Sequence, residues 1–332
     1  MKNTLLAAAS IVLVSNHAIA SGSKQIEVTV DNMAVAHTNM EMVRLQEEYG
    51  INQMMFIPRM AQLDFQPIIR MNQDTIYSGM VMNVSEGATI TLPEMDGRYA
   101  SIQVHDQNHW VPLFTYESGT HEIVSDTDYV VVVVRIQADE SDPSDIAKAA
   151  EWQSKITWTA GSNEPLKLKN WDMDSYQATV ADLRTTQFDY TPLEFMGDGT
   201  PGSSEVRAHA TAAYGGFLTA PAHHAFYGIA EGNDVQSCTP VTFDVPDINP
   251  DRGFYSVTLY NGDGYFAHNK ASLNSDNLVL NKGGDTYTIH FGNECGNVEN
   301  NIPTTENWNL IKRVYRATPE QLENSYVMPE IL

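Results

Sequence analysis

The chain has few of the features that settle a protein's chemistry at a glance. It carries only two cysteines in 332 residues, Cys238 and Cys295, so at most one disulfide can form. Basic residues are scarce: 19 Lys and Arg stand against 42 Asp and Glu, for a net charge of −23. A surface of that sign repels nucleic acid and anionic lipid, which excludes a nucleic-acid partner. It suits solubility first, with a saline exterior or cation binding as alternatives. No apolar run beyond the first twenty residues is long enough to cross a bilayer, so no membrane insertion is expected. There is no G-x-S-x-G elbow, no phosphate loop ending in Lys, no dinucleotide fingerprint and no H-E-x-x-H pair. The βαβ alternation of nucleotide-binding folds is missing, as are solenoid-length repeats and low-complexity tracts.

The N-terminus is informative. Lys2 precedes an apolar run over 5–14, and Ala18-Ile19-Ala20 has the small-x-small form of a cleavage site. The pattern predicts a signal peptide cut after Ala20 and a mature chain in the periplasm or outside the cell. About 312 residues would remain, enough for one large or two medium domains with a sizeable core. In an oxidising compartment Cys238 and Cys295 are expected to pair. The chain-entropy model assigns such a loop roughly 4 kcal/mol at its upper end. A thiol nucleophile with a histidine partner is the rival, without local support.

Apolar spacing predicts a helix over 35–49 that ends at Gly50. Met54, Met55 and Met60 follow; methionines in this density fill core gaps more often than they bind copper. Strands are predicted over 88–92, 99–105 and 129–136, with Asp96-Gly97 as the turn between the first two. Val130 to Val134 are five consecutive valines, the mark of a deeply buried strand. Helices are predicted over 144–154, after Pro143, over 177–188, and over 204–214 before Gly215-Gly216. Later strands are predicted over 241–245, 253–260, 277–280, 286–291 and 310–315. Gly, Pro and Ser concentrate over 196–204, where a linker is placed. The resulting division is a signal peptide at 1–20, a helical segment at 21–70 and a β-rich domain at 71–195. A linker and helix occupy 196–236, and a C-terminal β-sandwich 237–332. The expected fold is mainly β with flanking helices (α+β), built as two antiparallel β-sandwich or barrel-like domains.

Polar chemistry gathers over 72–110. Asn72, Asp74 and Tyr77 are followed by Arg98, Tyr99, His105 and Asp106. Residues two apart on a strand share a face, so Tyr99, Ser101, Gln103 and His105 point one way. A polar face enclosed in a cleft needs partners, water or a ligand. An exposed face is merely wet, and an Asp74–Arg98 pair locking a turn is the structural alternative.

The order Asn72-x-Asp74-Thr75-x-Tyr77, then Gly97-Arg98-Tyr99 and Asp106, resembles the domain of unknown function numbered 1254. The run from Gly253 to Tyr260, Asn269, Asn307-Trp308 and Arg313-Val314-Tyr315 resemble its companion domain, numbered 1214. After Asn307-Trp308 this chain has Asn309-Leu310, where family members run Leu-Pro. The resemblance implies two β-rich domains and frequent export, and no particular reaction.

Other groupings are weaker. His105 and His109 would sit about 13 Å apart on a straight strand, too far for one metal. A hairpin at Gln107-Asn108 would instead make Asp106 and His109 neighbours. His223 or His224 could join them, leaving a mononuclear divalent metal open at low weight and no other cofactor expected. Asp244, Asp247, Asp251 and Asp263 offer oxygen ligands on loops without EF-hand spacing, more simply read as solvated turns. Paired carboxylates for glycoside hydrolysis need only spatial proximity and stay open. The leading expectation is a cofactor-free, hydrolase-like enzyme acting on a small molecule at the interdomain cleft. Asp74 or Asp106 would transfer protons, with His105 beside them. Arg98 would anchor an anion, and Asn72, Tyr77 and Tyr99 would hold the substrate. The alternative is a non-catalytic ligand-binding or assembly protein of the cell envelope. Antiparallel edge strands add self-association, a homo-oligomer, as an option.

Overall fold

The computed structural model describes residues 24–186, 189–232 and 237–323. The expected signal peptide and its cleavage site lie outside them. The N-terminal half runs α1 (Val30–Tyr49), β1 (Met55–Ile57), β2 (Thr75–Asn83), β3 (Ala88–Leu92), β4 (Ala100–Asp106), β5 (Leu113–Thr115), β6 (Gly119–Glu122) and β7 (Tyr129–Gln137). Helix α2 (Pro143–Gln153) and strand β8 (Thr157–Ala160) complete it. Three helices follow, α3 (Met173–Arg184), α4 (Pro192–Met196) and α5 (Val206–Gly215). The C-terminal half holds β9 (Ala225–Glu231), β10 (Thr239–Asp244), β11 (Phe254–Tyr260), β12 (Ser272–Asn274), β13 (Thr286–Phe291), β14 (Asn301–Ile302), β15 (Asn309–Tyr315) and α6 (Pro319–Glu323).

Four sheets result: β1-β2-β7-β4-β5, β6-β3-β8, β12-β11-β15-β9 and β10-β13-β14. Every pairing is antiparallel except the short β13–β14 contact. The fold is mainly β with few helices, and no sheet closes into a barrel among the described residues.

The valine run is the centre of the N-terminal half, because β7 is buried on both faces. Val130, Val132 and Val134 enter a core with Ile76, Ile102 and Ile90, which joins the five-stranded sheet to β6-β3-β8. Val131 and Val133 point the other way, with Tyr77, Val81 and Met42 of α1. That second core also takes Tyr260 and Ile311 from the C-terminal half. The four-stranded sheet is two-faced in the same manner. Tyr255, Val257, Leu310 and Val314 pack against Phe243, Ile289 and Phe291 of the outer sheet. Ser256, Thr258 and Arg313 face the N-terminal half.

Caps explain the helix starts. The Asp142 side chain accepts from Ser144 N, the Asp172 side chain from Asp174 N, and the Glu205 side chain from Arg207 N and Ala208 N. Gly50 (φ +92°) ends α1 as expected. In the segment predicted as a linker, Gly199 needs to be glycine. Its φ is +91°, and a Cβ there would lie 2.8 Å from Pro221 Cγ.

One strand expectation fails. Residues 277–280 form no strand: Asn277 N and Leu278 N both donate to Asn274 O, turning the chain, and only a lone Leu280–Tyr287 bridge remains. Asp96-Gly97 turns the chain as expected, and it does so between sheets, because β3 pairs β6 and β8 while β4 pairs β7 and β5.

Cys238 and Cys295 are bonded, with Cα atoms 4.8 Å apart, and tie the start of β10 to the loop after β13. Replacing both with serine is expected to lower stability by roughly 2–4 kcal/mol. A urea denaturation midpoint equal to that of the parent would show that the bridge adds nothing.

Candidate functional site

The inner faces of the two central sheets meet, and the polar face anticipated on β4 lies at that junction. Ser101, Gln103 and His105 are each fully buried. Opposite Ser101 on β7 is Arg135, the single charged residue of that strand.

Between the sheets is a cavity with an empty volume of about 900 Å³, its open mouth included. Arg70, Arg135 and Arg313 line it together with Tyr77, Tyr227 and Tyr315. Ile68, Ile69, Phe195, Phe217 and Ile229 supply apolar wall. Arg135 and Arg313 are 9% and 3% exposed, so their charges sit in a poorly solvated site.

The hydrogen-bond partners of all three guanidiniums are neutral. Arg313 donates to Tyr260 Oη (2.7 Å), Thr258 Oγ1 (3.1 Å) and Arg70 O (2.7 Å). Arg135 donates to Gln103 Oε1 and lies 5.6 Å from the Tyr77 ring centre. Arg70 donates to Gly215 O, its Nε has no partner, and burial pulls its pKa down. Among the described residues no carboxylate makes an ion pair with any of the three.

Gln103 links Arg135 to the histidines. Its Oε1 accepts from Arg135, so its Nε2 donates to His105 Nε2 (2.6 Å) and Leu218 O (3.1 Å). His105 Nε2 is then the bare nitrogen, and Nδ1–H donates to His109 O (3.1 Å). Burial, with the nearby Arg135 charge, holds the His105 pKa down at about 3, so the ring is neutral as this network requires. Asp106 shapes the adjoining turn, its Oδ1 accepting from Asn108 N (2.8 Å) and Trp110 N (2.9 Å). That turn, with His109 at φ +69°, brings the His105 and His109 rings to 4.5 Å. The wide separation expected on a straight strand does not apply, because the chain reverses between them.

The other anticipated residues fall into distinct groups. Tyr77 lines the cavity, and its Oη accepts from Asn72 N (3.2 Å). Asn72 lies behind the wall, donating to Tyr315 Oη (2.6 Å). Asp74 is fully buried, accepting from Ser256 Oγ (2.6 Å) and Asn274 Nδ2 (3.1 Å), and burial raises its pKa. Tyr99 packs edge-on to Phe254 and Tyr315. Arg98 departs from its expected roles as anion anchor and as partner of Asp74. Asp96 (2.9 Å) and Asp145 (2.6 Å) occupy its guanidinium, which also donates to Gln137 O at the end of β7 (2.9 Å). Asp74, His105, Asp106 and Arg98 do not line the large cavity.

His224 stacks on Phe114 and bonds Tyr116 Oη instead of joining His105. His209, not His223 or His224, approaches His109, at 5.9 Å. Among the described residues no three His, Cys, Asp or Glu side chains are arranged to hold a metal ion. Of the acidic loop residues, Asp251 faces Arg252 and Arg316.

Arg70, Arg135 and Tyr227 were not singled out from the sequence. A lone arginine closing a run of five valines was the available signal for Arg135, since an unpaired charge on a buried strand is costly. Arg313 and Tyr315 entered only through the family resemblance.

Comparison with known proteins is consistent with this layout. Residues 51–112 match the model of a family described as protein of unknown function, DUF1254. That span includes Asn72, Asp74, Tyr77, Arg98, Tyr99 and Asp106, and stops short of the C-terminal residues resembling the domain numbered 1214. A search of the curated proteins finds no match. Among solved structures, the VPA0106 protein from Vibrio parahaemolyticus aligns over 91% of this chain and 96% of its own, with a TM-score of 0.68 and 17% identity. The two chains share a fold. A putative uncharacterized protein from Burkholderia cenocepacia aligns over 86% of this chain and 84% of its own, at a TM-score of 0.48 and 11% identity.

The buried histidines make acid stability predictable. A histidine whose folded pKa is depressed contributes stability that is full above about pH 6.5 and is lost as pH falls toward the folded value. For His105 that window runs from about 6.5 down to about 3. Within it each such histidine adds a slope approaching 1.4 kcal/mol per pH unit. His105→Gln should remove one proton from that slope in urea denaturation between pH 5 and 7. An unchanged slope would mean that His105 titrates normally.

Proposed function

We propose that the chain binds a small organic anion in the cavity between its two halves. The observation that carries this reading is the burial of Arg135, on β7, and Arg313, on β15, at one cavity with neutral hydrogen-bond partners. Burying a guanidinium without a direct ion pair is expensive, even with the field of buried Asp74 acting on Arg313, and an anion entering the cavity relieves that cost through charge-assisted, bidentate contacts. Tyr77, Tyr227 and Tyr315 supply ring surface and hydroxyls beside the guanidiniums. The overall charge of −23 opposes an approaching anion, so the attraction has to come from the guanidiniums inside the cavity.

Of the two functional classes, binding without turnover is favoured over a hydrolase-like reaction. Asp74, Asp106 and His105, the groups suited to proton transfer, are not on the cavity wall. Asp74 instead bonds across to the C-terminal sheet, and His105 holds Gln103, which holds Arg135. The reading places the protein outside the cytoplasm after removal of a signal peptide at Ala20, with a C-terminal half of the type numbered 1214. The Cys238–Cys295 bridge is consistent with an extracytoplasmic location. Among the described residues no helix is long and apolar enough to cross a membrane.

Arg135→Gln separates function from stability. It should weaken binding of a small carboxylate about tenfold to a hundredfold by calorimetric titration, the cost of a lost charged hydrogen bond. The ligand-free melting temperature should hold or rise, because a desolvated charge is gone. Unchanged binding alongside a large drop in melting temperature would make Arg135 a structural residue and remove the basis of this reading.

A further inference from the structure

A second cavity adjoins the first. It lies between α1 and the inner face of the five-stranded sheet, bounded by Leu45, Met55, Gly79, Val81, Val131 and Val133. Ile68, Met71, Tyr77 and Leu218 line both cavities, so the two adjoin at these residues. Its empty volume is about 520 Å³, open solvent at its mouth included, and its walls are hydrocarbon apart from Ser78 and the two tyrosines, Tyr49 and Tyr77. Protein interiors are otherwise close-packed, and an apolar space of this kind stays dry and accepts apolar ligands.

Gly79 is an independent sign that this space is kept open. It stands in the middle of a nine-residue strand, where a side chain would normally pack. Its backbone does not demand glycine. A Cβ there would meet Val132 O at 3.5 Å, Val133 Cγ2 at 3.8 Å and Met55 Cε at 4.0 Å, all ordinary contacts. Along β2 it shares a face with Tyr77 and Val81, the face turned to the chamber. What glycine provides here is the absence of a side chain, in a strand interior where a ligand can approach.

We propose that the ligand is a single-chain aliphatic anion. Its head rests on Arg135 and Arg313, and its tail passes Tyr77 and Leu218 into the chamber beneath Gly79. This inference rests on the anion-binding reading of the first cavity and adds a tail site to it. Head and tail then have opposite chemistries in adjoining spaces, which selects amphiphiles over short polar acids.

The test is a calorimetric titration of the protein with butyrate, hexanoate, octanoate and decanoate, repeated with Gly79→Leu and Gly79→Ala. Affinity should rise about fourfold per added methylene in the parent protein, following the transfer free energy of a buried CH₂. Gly79→Leu should flatten the series while leaving butyrate binding unchanged, and Gly79→Ala should shorten the longest acid that gains. A flat series in the parent, with butyrate bound, overturns the tail site and leaves the anion site standing. No binding of any acid overturns both. A Gly79→Leu series as steep as the parent's also overturns the tail site. The parent series decides the matter even if the leucine variant does not fold.

Discussion

Burying both faces of each central sheet forces polar groups from the two halves of the chain to satisfy one another. The outward faces of β7 and β11 solve the problem with hydrocarbon, in two separate apolar cores. The inward faces carry Asn72, Asp74, Ser256, Asn274, Arg313 and Tyr315, and their bonds cross the junction between residues far apart in sequence. Asn72 reaches Tyr315, Asp74 reaches Ser256 and Asn274, and Gln73 reaches Asn269 O (2.8 Å). Leaving one such buried group unpaired costs about 1–3 kcal/mol, so these bonds fix how the halves meet. The cavity opens where this mutual satisfaction stops, at guanidiniums that find only neutral acceptors.

On the proposed reading, that arrangement trades stability for a binding site. Arg135 could have been neutralised by a carboxylate on either face, as Arg98 is by Asp96 and Asp145 near the surface. Instead it is aimed by Gln103, whose own orientation depends on a neutral His105 and the backbone of a tight turn at Asp106. Several of the polar residues on β4 are thus one step removed from the cavity. They hold the groups that line it, which explains why they are buried and yet absent from its wall.

Much of the fold was legible in the sequence because its signals are local. The valine run gave β7, Gly50 gave the end of α1, and the polar alternation of Tyr99, Ser101, Gln103 and His105 located a polar face on β4, whose enclosure only the packing of the two halves decides. The mainly-β class followed from short strands between turns. What escaped was set by tertiary contacts. Leu278, Val279 and Leu280 have strand composition, but Asn274 captures the preceding amides and turns the chain. Strand β9 is interrupted by Gly228 and small residues, and it exists because β15 pairs it along seven residues. Arg98 stood in a family motif and looked like a ligand contact. Its partners, Asp96 and Asp145, are two and 47 residues away, and only the first was within reach of local reading. Arg70 shares a cavity with Arg313, 243 residues further along the chain, and with Arg135 between them, a convergence that no spacing in the sequence announces.

The central claim is that Arg135 and Arg313 form an open anion site. The most direct measurement is a crystal structure of the protein soaked in bromide, with anomalous data collected at the bromine edge. An anomalous peak within hydrogen-bonding distance of the Arg135 and Arg313 guanidiniums is the predicted result. Peaks elsewhere on the protein, with none in this cavity, would contradict the account.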